Sequence, residues 1–367
     1  MNTEIHFKKD SKDLAFQKEL YRRINSYFSN NNLSKVANAK AIAKAIILGL
    51  LYLALTVSLF FATTIGNYYL INILLGMLTI FVALNIAHDA AHNIFSSNQK
   101  VNNLLLYTFD ILGASGYMWR LKHVHSHHPH VNIPNMDGDI KQTNLVRIFP
   151  NSPFLRLHKY QYLYMPVLYL FYTLMWLLIR DFKDYFHTDI SGKPDVKHPP
   201  VEYVKLMIGK SFFFGRMLIL PMLILPFTGW QVLLGFLLFH FSASLTVAMA
   251  LISAHIGEDS VYPAPDEDGQ MENSWIRHQI ITTCDFGTQS KVLTHLFGGF
   301  NHHIIHHLCP NICHIHYPQL TEVLKSTCQE YGMPYNSNPT LYHAMLSHLR
   351  FLKIRSKQGV RVEYIEI

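Results

Sequence analysis

Four near-continuous apolar runs, at 41–63, 68–87, 211–227 and 231–254, constrain this chain more than any other feature. Each is close to the twenty or so residues a helix needs to cross a hydrocarbon core about 30 Å thick. Inside such a core each segment must satisfy its own backbone amides, so the runs are predicted to be helices. The composition agrees. Half of the 367 residues are hydrophobic and 15% are charged, where a soluble domain carries about 25%. Lys and Arg exceed Asp and Glu by 31 to 24, with no basic patch interleaved with aromatics. That excess fits cytoplasmic loops held by the positive-inside rule better than a nucleic-acid surface. Residues 1–40 hold eight Lys and Arg against four acids and show no signal-cleavage pattern, so the N-terminus is expected to stay in the cytoplasm.

The runs pair naturally. A short uncharged turn at Gly66 and Asn67 joins the first two, and another at Thr228 and Gly229 joins the last two. A helix over 68–87 rises about 30 Å and delivers His88 to the cytoplasmic face; one from Trp230 rises about 37 Å and does the same for His255. The stretch 102–119 reads as interfacial. Residues 160–180 are long enough to span, but they are rich in Tyr and contain Pro166 and Trp176. One crossing there would strand the last histidine cluster across the bilayer, so this segment is expected not to cross. The expected fold is an all-α membrane protein with four transmembrane helices in two hairpins, interfacial helices and a cytoplasmic helical cap. Its expected parts are an N-terminal arm (1–40), a membrane domain (41–310) and a C-terminal cap (311–367). In the cap, Asn338 and Pro339 are expected to open a helix, and 360–367 alternates like a strand. Cys284, Cys309, Cys313 and Cys328 form no CxxC pair and are expected to be reduced.

Histidines gather in three groups, the first directly after the run 68–87: His88 and His92; His123, His127 and His128; His303, His306 and His307. Imidazole is a common ligand for iron, zinc and copper. Eight such ligands exceed the four that one zinc ion takes, which points to a two-metal site. On an α-helix His88 and His92 lie about 40° apart, and His123, His127 and His128 fall on one usable arc. His125 falls on the other face and His130 lies beyond Pro129. His303, His306 and His307 share an arc that His302 could also join. His255 is a candidate ninth ligand. His240 lies about 22 Å further down the same helix and reads as a hydrogen-bonded core histidine. Asp89, His278, Asn301 and His302 are candidates to orient the ligands.

The pieces KHVHSHHPHVNI and GGFNHHIIHHLCPNICHIHYP, with His88, His92, His255 and 275–283, resemble the integral-membrane fatty acid desaturases, in particular the bacterial linoleoyl-CoA desaturase-like branch related to front-end desaturases. The resemblance implies that the nine positions named above hold two irons in a di-iron centre, with dioxygen as co-substrate. It implies a fatty acyl substrate linked to CoA, carrier protein or lipid, and a bacterial inner-membrane location. The third box in this branch often begins with Gln, and here it begins with His303, which weakens inference about the position of the double bond. No HPGG haem motif is present, so electrons are expected from a separate donor, a ferredoxin or a cytochrome b5-like protein with its reductase.

An unactivated methylene has no acidic proton and no leaving group, so acid–base residues cannot desaturate it, whereas a redox metal with dioxygen can. The expected reaction is insertion of a cis double bond. A hydroxylase or ketolase on the same scaffold is the alternative. A metal transporter would put ligands within the crossing path, and a zinc hydrolase would need a general-base carboxylate and fewer ligands.

Overall fold

The computed structural model describes residues 5–141, 143–187 and 196–357; the strand-like stretch 360–367 lies outside them. The chain is mostly helical. Among the described residues, five helices are long and apolar enough to cross a membrane by length and composition: α2 (Ala39–Leu59), α3 (Ile65–Ala91), α6 (Arg156–Phe186), α7 (Pro200–Ile224) and α8 (Gly229–His255). The remaining principal helices are α1 (Ser11–Asn30), α4 (Gln99–Leu106), α5 (Gly116–Lys122), α9 (Trp275–Ile281), α10 (His303–Leu308), α11 (Tyr317–Tyr331) and α12 (Leu341–Arg355). Two short parallel pairings depart from the all-α expectation: His6–Phe7 with Gln270–Met271, and Asp285–Phe286 with Ser337–Asn338.

Caps, rather than hydropathy, set where the apolar helices begin. Asn38 accepts from the amides of Lys40 and Ala41, so α2 starts before its apolar run. Thr64 caps α3, which makes Gly66 and Asn67 its first turn and not the expected loop. Thr228 and Gln231 form a reciprocal capping box on α8. At the other ends, α3 and α8 run past the apolar stretch and carry His88 and His255. The fifth apolar helix, α6, covers the stretch 160–180, which is long enough to span yet expected not to cross. It is irregular: Pro166 lies inside it, a 3-10 turn follows at Tyr169–Phe171, and a π turn at Trp176–Arg180.

Helix α3 packs along both α2 and α8. Gly76 makes the approach to α8 possible, since a Cβ there would overlap Ser242 Oγ and the Phe239 carbonyl. Leu48, Tyr52, Leu75, Phe213, Met217 and Phe239 fill the core between these helices. A second core lies outside the apolar bundle. Phe16, Leu20, Ile24 and Phe28 recur every fourth residue along α1, so they form one stripe. That stripe packs on Ile304, Ile305 and Leu308 of α10 and on Leu320 and Leu324 of α11, each side chain contributing about 2 kcal/mol. Buried Asp13 pins α1 to α9, meeting Arg277 at 2.6 Å and the Ser274 hydroxyl at 2.7 Å. Asn338 does not cap a helix. Its carbonyl accepts from Gly287 N at 2.9 Å in the strand pairing, and Thr340 caps α12 two residues later.

Candidate metal centre

Two of the three histidine clusters are delivered by π turns. The turn Ala83–Ala87 precedes His88, and His123–His127 is itself a π turn, with His128 N bonded to the His123 carbonyl. Bonds from i to i+5 bring His123 and His128 to one side, and their Nε2 atoms lie 3.2 Å apart. Gly298 and Gly299 lead into the third cluster with φ of +57° and +69°. A Cβ on Gly298 would sit 2.6 Å from the Leu84 carbonyl, so this loop lies directly against α3. Asp285 then accepts from Ile304 N at 2.8 Å and anchors the first turn of α10.

All nine named histidines come together, from α3, the π turn after α5, the end of α8 and α10. Candidate ligand atoms of His88, His92, His123 and His306 lie within 4.8 Å of one another, and so do those of His127, His255, His303 and His307. His128 groups with His306 and His307 between the two sets. His303 Nε2 is 2.8 Å from His255 Nε2 and 3.1 Å from His307 Nε2. A metal–nitrogen bond of about 2.0–2.1 Å puts neighbouring ligand nitrogens about 3–3.5 Å apart, so the spacing suits ions. Several nitrogens are buried with no hydrogen-bond partner: both of His88, and Nε2 of His92 and His306. Leaving such groups unpaired costs about 1–3 kcal/mol each, and coordination would relieve it. The donor set fits a pair of metals.

Behind the ligands, acceptors fix which nitrogen faces inward. His127 Nδ1 donates to Asp137 at 2.9 Å, His123 Nδ1 to Asp139 at 2.8 Å, and His307 Nδ1 to Gln279 Oε1 at 3.2 Å. His306 Nδ1 meets the Tyr317 hydroxyl at 3.0 Å. In each ring the other nitrogen, Nε2, is left for a metal. Asp137, Asp139, Gln279, Tyr317 and Asp285 were missed by sequence reasoning. The Asp137-Gly138-Asp139 turn just after the second cluster was the available signal.

Burial, reinforced by the charge of neighbouring imidazoles, holds His92, His123, His128, His303, His306 and His307 well below the usual histidine range. Burial also opposes charge on His127, but the Asp137 carboxylate outweighs it and the net shift is upward. The other six are neutral at pH 7, the form that binds metal.

The remaining candidates separate cleanly. His302 stays out of the cluster: its nitrogens meet the Thr321 hydroxyl at 2.9 Å and the Thr294 hydroxyl at 3.1 Å. His278 Nε2 meets the Val131 carbonyl at 2.9 Å and steadies the loop after the second cluster. Asn301 donates to Thr294 Oγ1 at 3.0 Å and to the Gly287 carbonyl, so it shapes the loop and does not touch a ligand. Asp89 lies 3.6 Å from His88 Nδ1 and turns its other oxygen to His314 at 2.7 Å. Asp89, Cys313 and His314 form a further buried trio, but His314 Nε2 already meets the Lys44 ammonium at 2.7 Å. All four cysteines are free and buried. His240 Nδ1 meets the Thr173 hydroxyl at 3.0 Å.

Two apolar cavities flank the histidines. The first, about 140 Å³, reaches His123, His127 and His255 from between α6, α8 and α12. The second, about 100 Å³, reaches His88 and runs down between α3, α6 and α8 to His240. Both are lined mostly by apolar side chains and open onto the histidine groups.

Known proteins resemble this chain in sequence. A sequence model of the family described as Fatty acid desaturase matches residues 63–339. The chain is 33% identical to the sn-1 linoleoyl-lipid 6-desaturase of Synechocystis sp., over 94% of this chain and 96% of that one. It is 30% identical to the enzyme of the same name from Arthrospira platensis, over 93% of each chain. Against the acyl-lipid (8-3)-desaturase of Physcomitrium patens the identity is 29%, over 94% of this chain and 72% of that one. The chain therefore belongs to the fatty acid desaturase family, and is an integral-membrane oxidoreductase that desaturates acyl chains.

Proposed function

We propose that the two histidine groups hold two irons and that the enzyme is an oxygen-dependent desaturase placing a cis double bond in an acyl chain carried on a membrane lipid. The observation that carries this reading is the convergence of eight imidazoles into two adjacent four-nitrogen groups, with His128 against both, beside two apolar cavities. With iron bound, the centre would supply dioxygen-dependent oxidation of an unactivated C–H bond. The chain's own residues do the rest. His88, His92, His123 and His306 form one ligand set, His127, His255, His303 and His307 the other, and His128 joins them. Asp137, Asp139, Gln279 and Tyr317 hold the rings in the ligating tautomer. Leu251, Phe300 and Tyr172 hold the acyl chain and exclude water. Overall, two hydrogen atoms leave adjacent carbons and combine with dioxygen, two protons and two electrons from the donor to give two waters. The electrons come from a separate carrier, a ferredoxin or cytochrome b5-like protein with its reductase. The Synechocystis and Arthrospira relatives are named for a linoleoyl lipid, which favours a lipid-linked chain here. The relatives are named as desaturases, so a hydroxylase or ketolase is not favoured.

The proposed topology has α2, α3, α7 and α8 crossing the membrane, with the histidines, α1 and the C-terminal cap on the cytoplasmic side of a bacterial inner membrane. Helix α6 does not complete a crossing. Support comes from its two ends: Gln161 donates to the Leu352 carbonyl of α12 at 3.0 Å, and Arg180 to the Gly138 carbonyl beside the second cluster at 3.0 Å. A cysteine at Lys197 should resist an external thiol reagent, and labelling from outside would overturn this topology. For the reaction, His127→Ala and His306→Ala should each lower iron content and abolish product in a host supplying a compatible reductase. Full product from either variant would end the di-iron reading.

A further inference from the structure

We propose that Tyr172 is a positioning residue that sets which carbons of the acyl chain face the metal groups. Its side chain lines both cavities, and Leu251 and Phe300 do the same. These three residues therefore stand between the two cavities and would be the neck of a path that joins them. Phe300 is the wall of the neck nearest the ligands, with its ring 4.3 Å from that of His303 and 5.5 Å from that of His88. Tyr172 belongs to the irregular middle of α6, and its hydroxyl accepts from Arg180 Nη1 at 3.0 Å. The same guanidinium donates to the Gly138 carbonyl at 3.0 Å and lies 3.6 Å from Asp139. Asp139 in turn takes the Nδ1 proton of His123 at 2.8 Å. One strut thus fixes both the ring that narrows the path and a ring of the ligand set. Trp176 braces it, with the Arg180 guanidinium 4.7 Å from its ring centroid and Tyr172 packed edge-on at 5.6 Å.

Misplacing a reacting atom by on the order of 1 Å costs roughly 10²-fold in rate. A neck tied to the His123 side of the centre therefore selects one pair of methylenes, and a loose neck selects several. This inference rests on reading the two cavities as one acyl path. Tyr172→Phe keeps the ring and removes the tether. The ratio of the major positional isomer to its neighbours should fall about tenfold, the equilibrium worth of one charge-assisted hydrogen bond. Tyr172→Leu widens the neck and should spread the double bond further. Leu178→Ala, on the same helix but 47% exposed, should leave the isomer pattern unchanged. Double-bond position is read by mass spectrometry of total fatty acids, alongside iron content, which should stay at the wild-type value in Tyr172→Phe, and melting temperature, which should fall by a few degrees at most. An unchanged isomer pattern in both Tyr172 variants overturns the proposal, as does loss of product in both with no new isomer. If the unaltered enzyme itself makes no double bond, the functional reading fails instead.

Discussion

Asp137→Asn should weaken one metal of the pair and leave the other nearly untouched. The Asp137 carboxylate is fully buried and accepts from four donors. Oδ1 takes Asp139 N at 2.8 Å and Ile140 N at 3.0 Å, Oδ2 takes Asn132 N at 2.9 Å, and His127 Nδ1 lies 2.9 Å from Oδ1 and 3.0 Å from Oδ2. An amide is the same size, but its nitrogen cannot accept. Placed at Oδ1 it would orphan two amides, so it settles at Oδ2 and orphans that of Asn132. A buried unpaired donor costs about 1–3 kcal/mol, enough to lower the melting temperature by several degrees. Loss of the negative charge behind His127 should weaken metal binding by a further 10- to 100-fold, the usual cost of removing a ligand's orienting partner. The set containing His123 keeps Asp139 and is spared. Competition against a chelator, with cobalt as probe in detergent-solubilised protein, should resolve one weakened and one normal site. Two normal affinities with a lowered melting temperature would mean that Asp137 only supports the loop.

His303→Ala should reduce bound iron and product together, whereas His302→Ala should keep iron near the wild-type level and cost about 1–2 kcal/mol of stability, because its nitrogens hold hydroxyls; equal iron loss in both would reopen the choice of ligand. Burial pulls His278 and His302 down to about 4, below the ordinary 6.5 of an unfolded chain. The unfolded state therefore binds more protons below about pH 6.5. Stability of the metal-free protein is complete above that value and falls as pH drops toward 4. A melting temperature at about pH 5 equal to that at neutrality would contradict the assignment of both rings as buried and neutral. Gly76→Ala should push α3 off α8, since the new methyl meets the Phe239 carbonyl. A loss of about 1–3 kcal/mol is expected, with reduced iron binding because both helices carry ligands; unchanged thermal stability would show that the helices separate freely.

Much of the centre was legible in sequence because histidine in so apolar a chain is unusual, and because His88 and His255 directly follow apolar runs. His240 read correctly as a bonded core residue from its depth alone. What escaped was of two kinds. Helix-wheel angles assume 3.6 residues per turn, and the π turn at His123–His127 breaks that assumption, so His123 and His128 approach more closely than the wheel allows. The orienting residues come from afar: Gln279 is 28 positions from His307, and Asp137 sits in a loop whose Asp-Gly-Asp spelling resembles any turn. Helix starts were misjudged where a cap, Thr64 or Thr340, overruled composition. Helix α6 satisfies every hydropathy criterion for a span, and only its hydrogen bonds at both ends bear on whether it crosses.

His306 and His307 are consecutive on α10 yet belong to different ligand sets, with His128 lying against both. The separation of the two groups is therefore set by a single peptide link, and any change that turns or slides α10 displaces a ring in both sets at once.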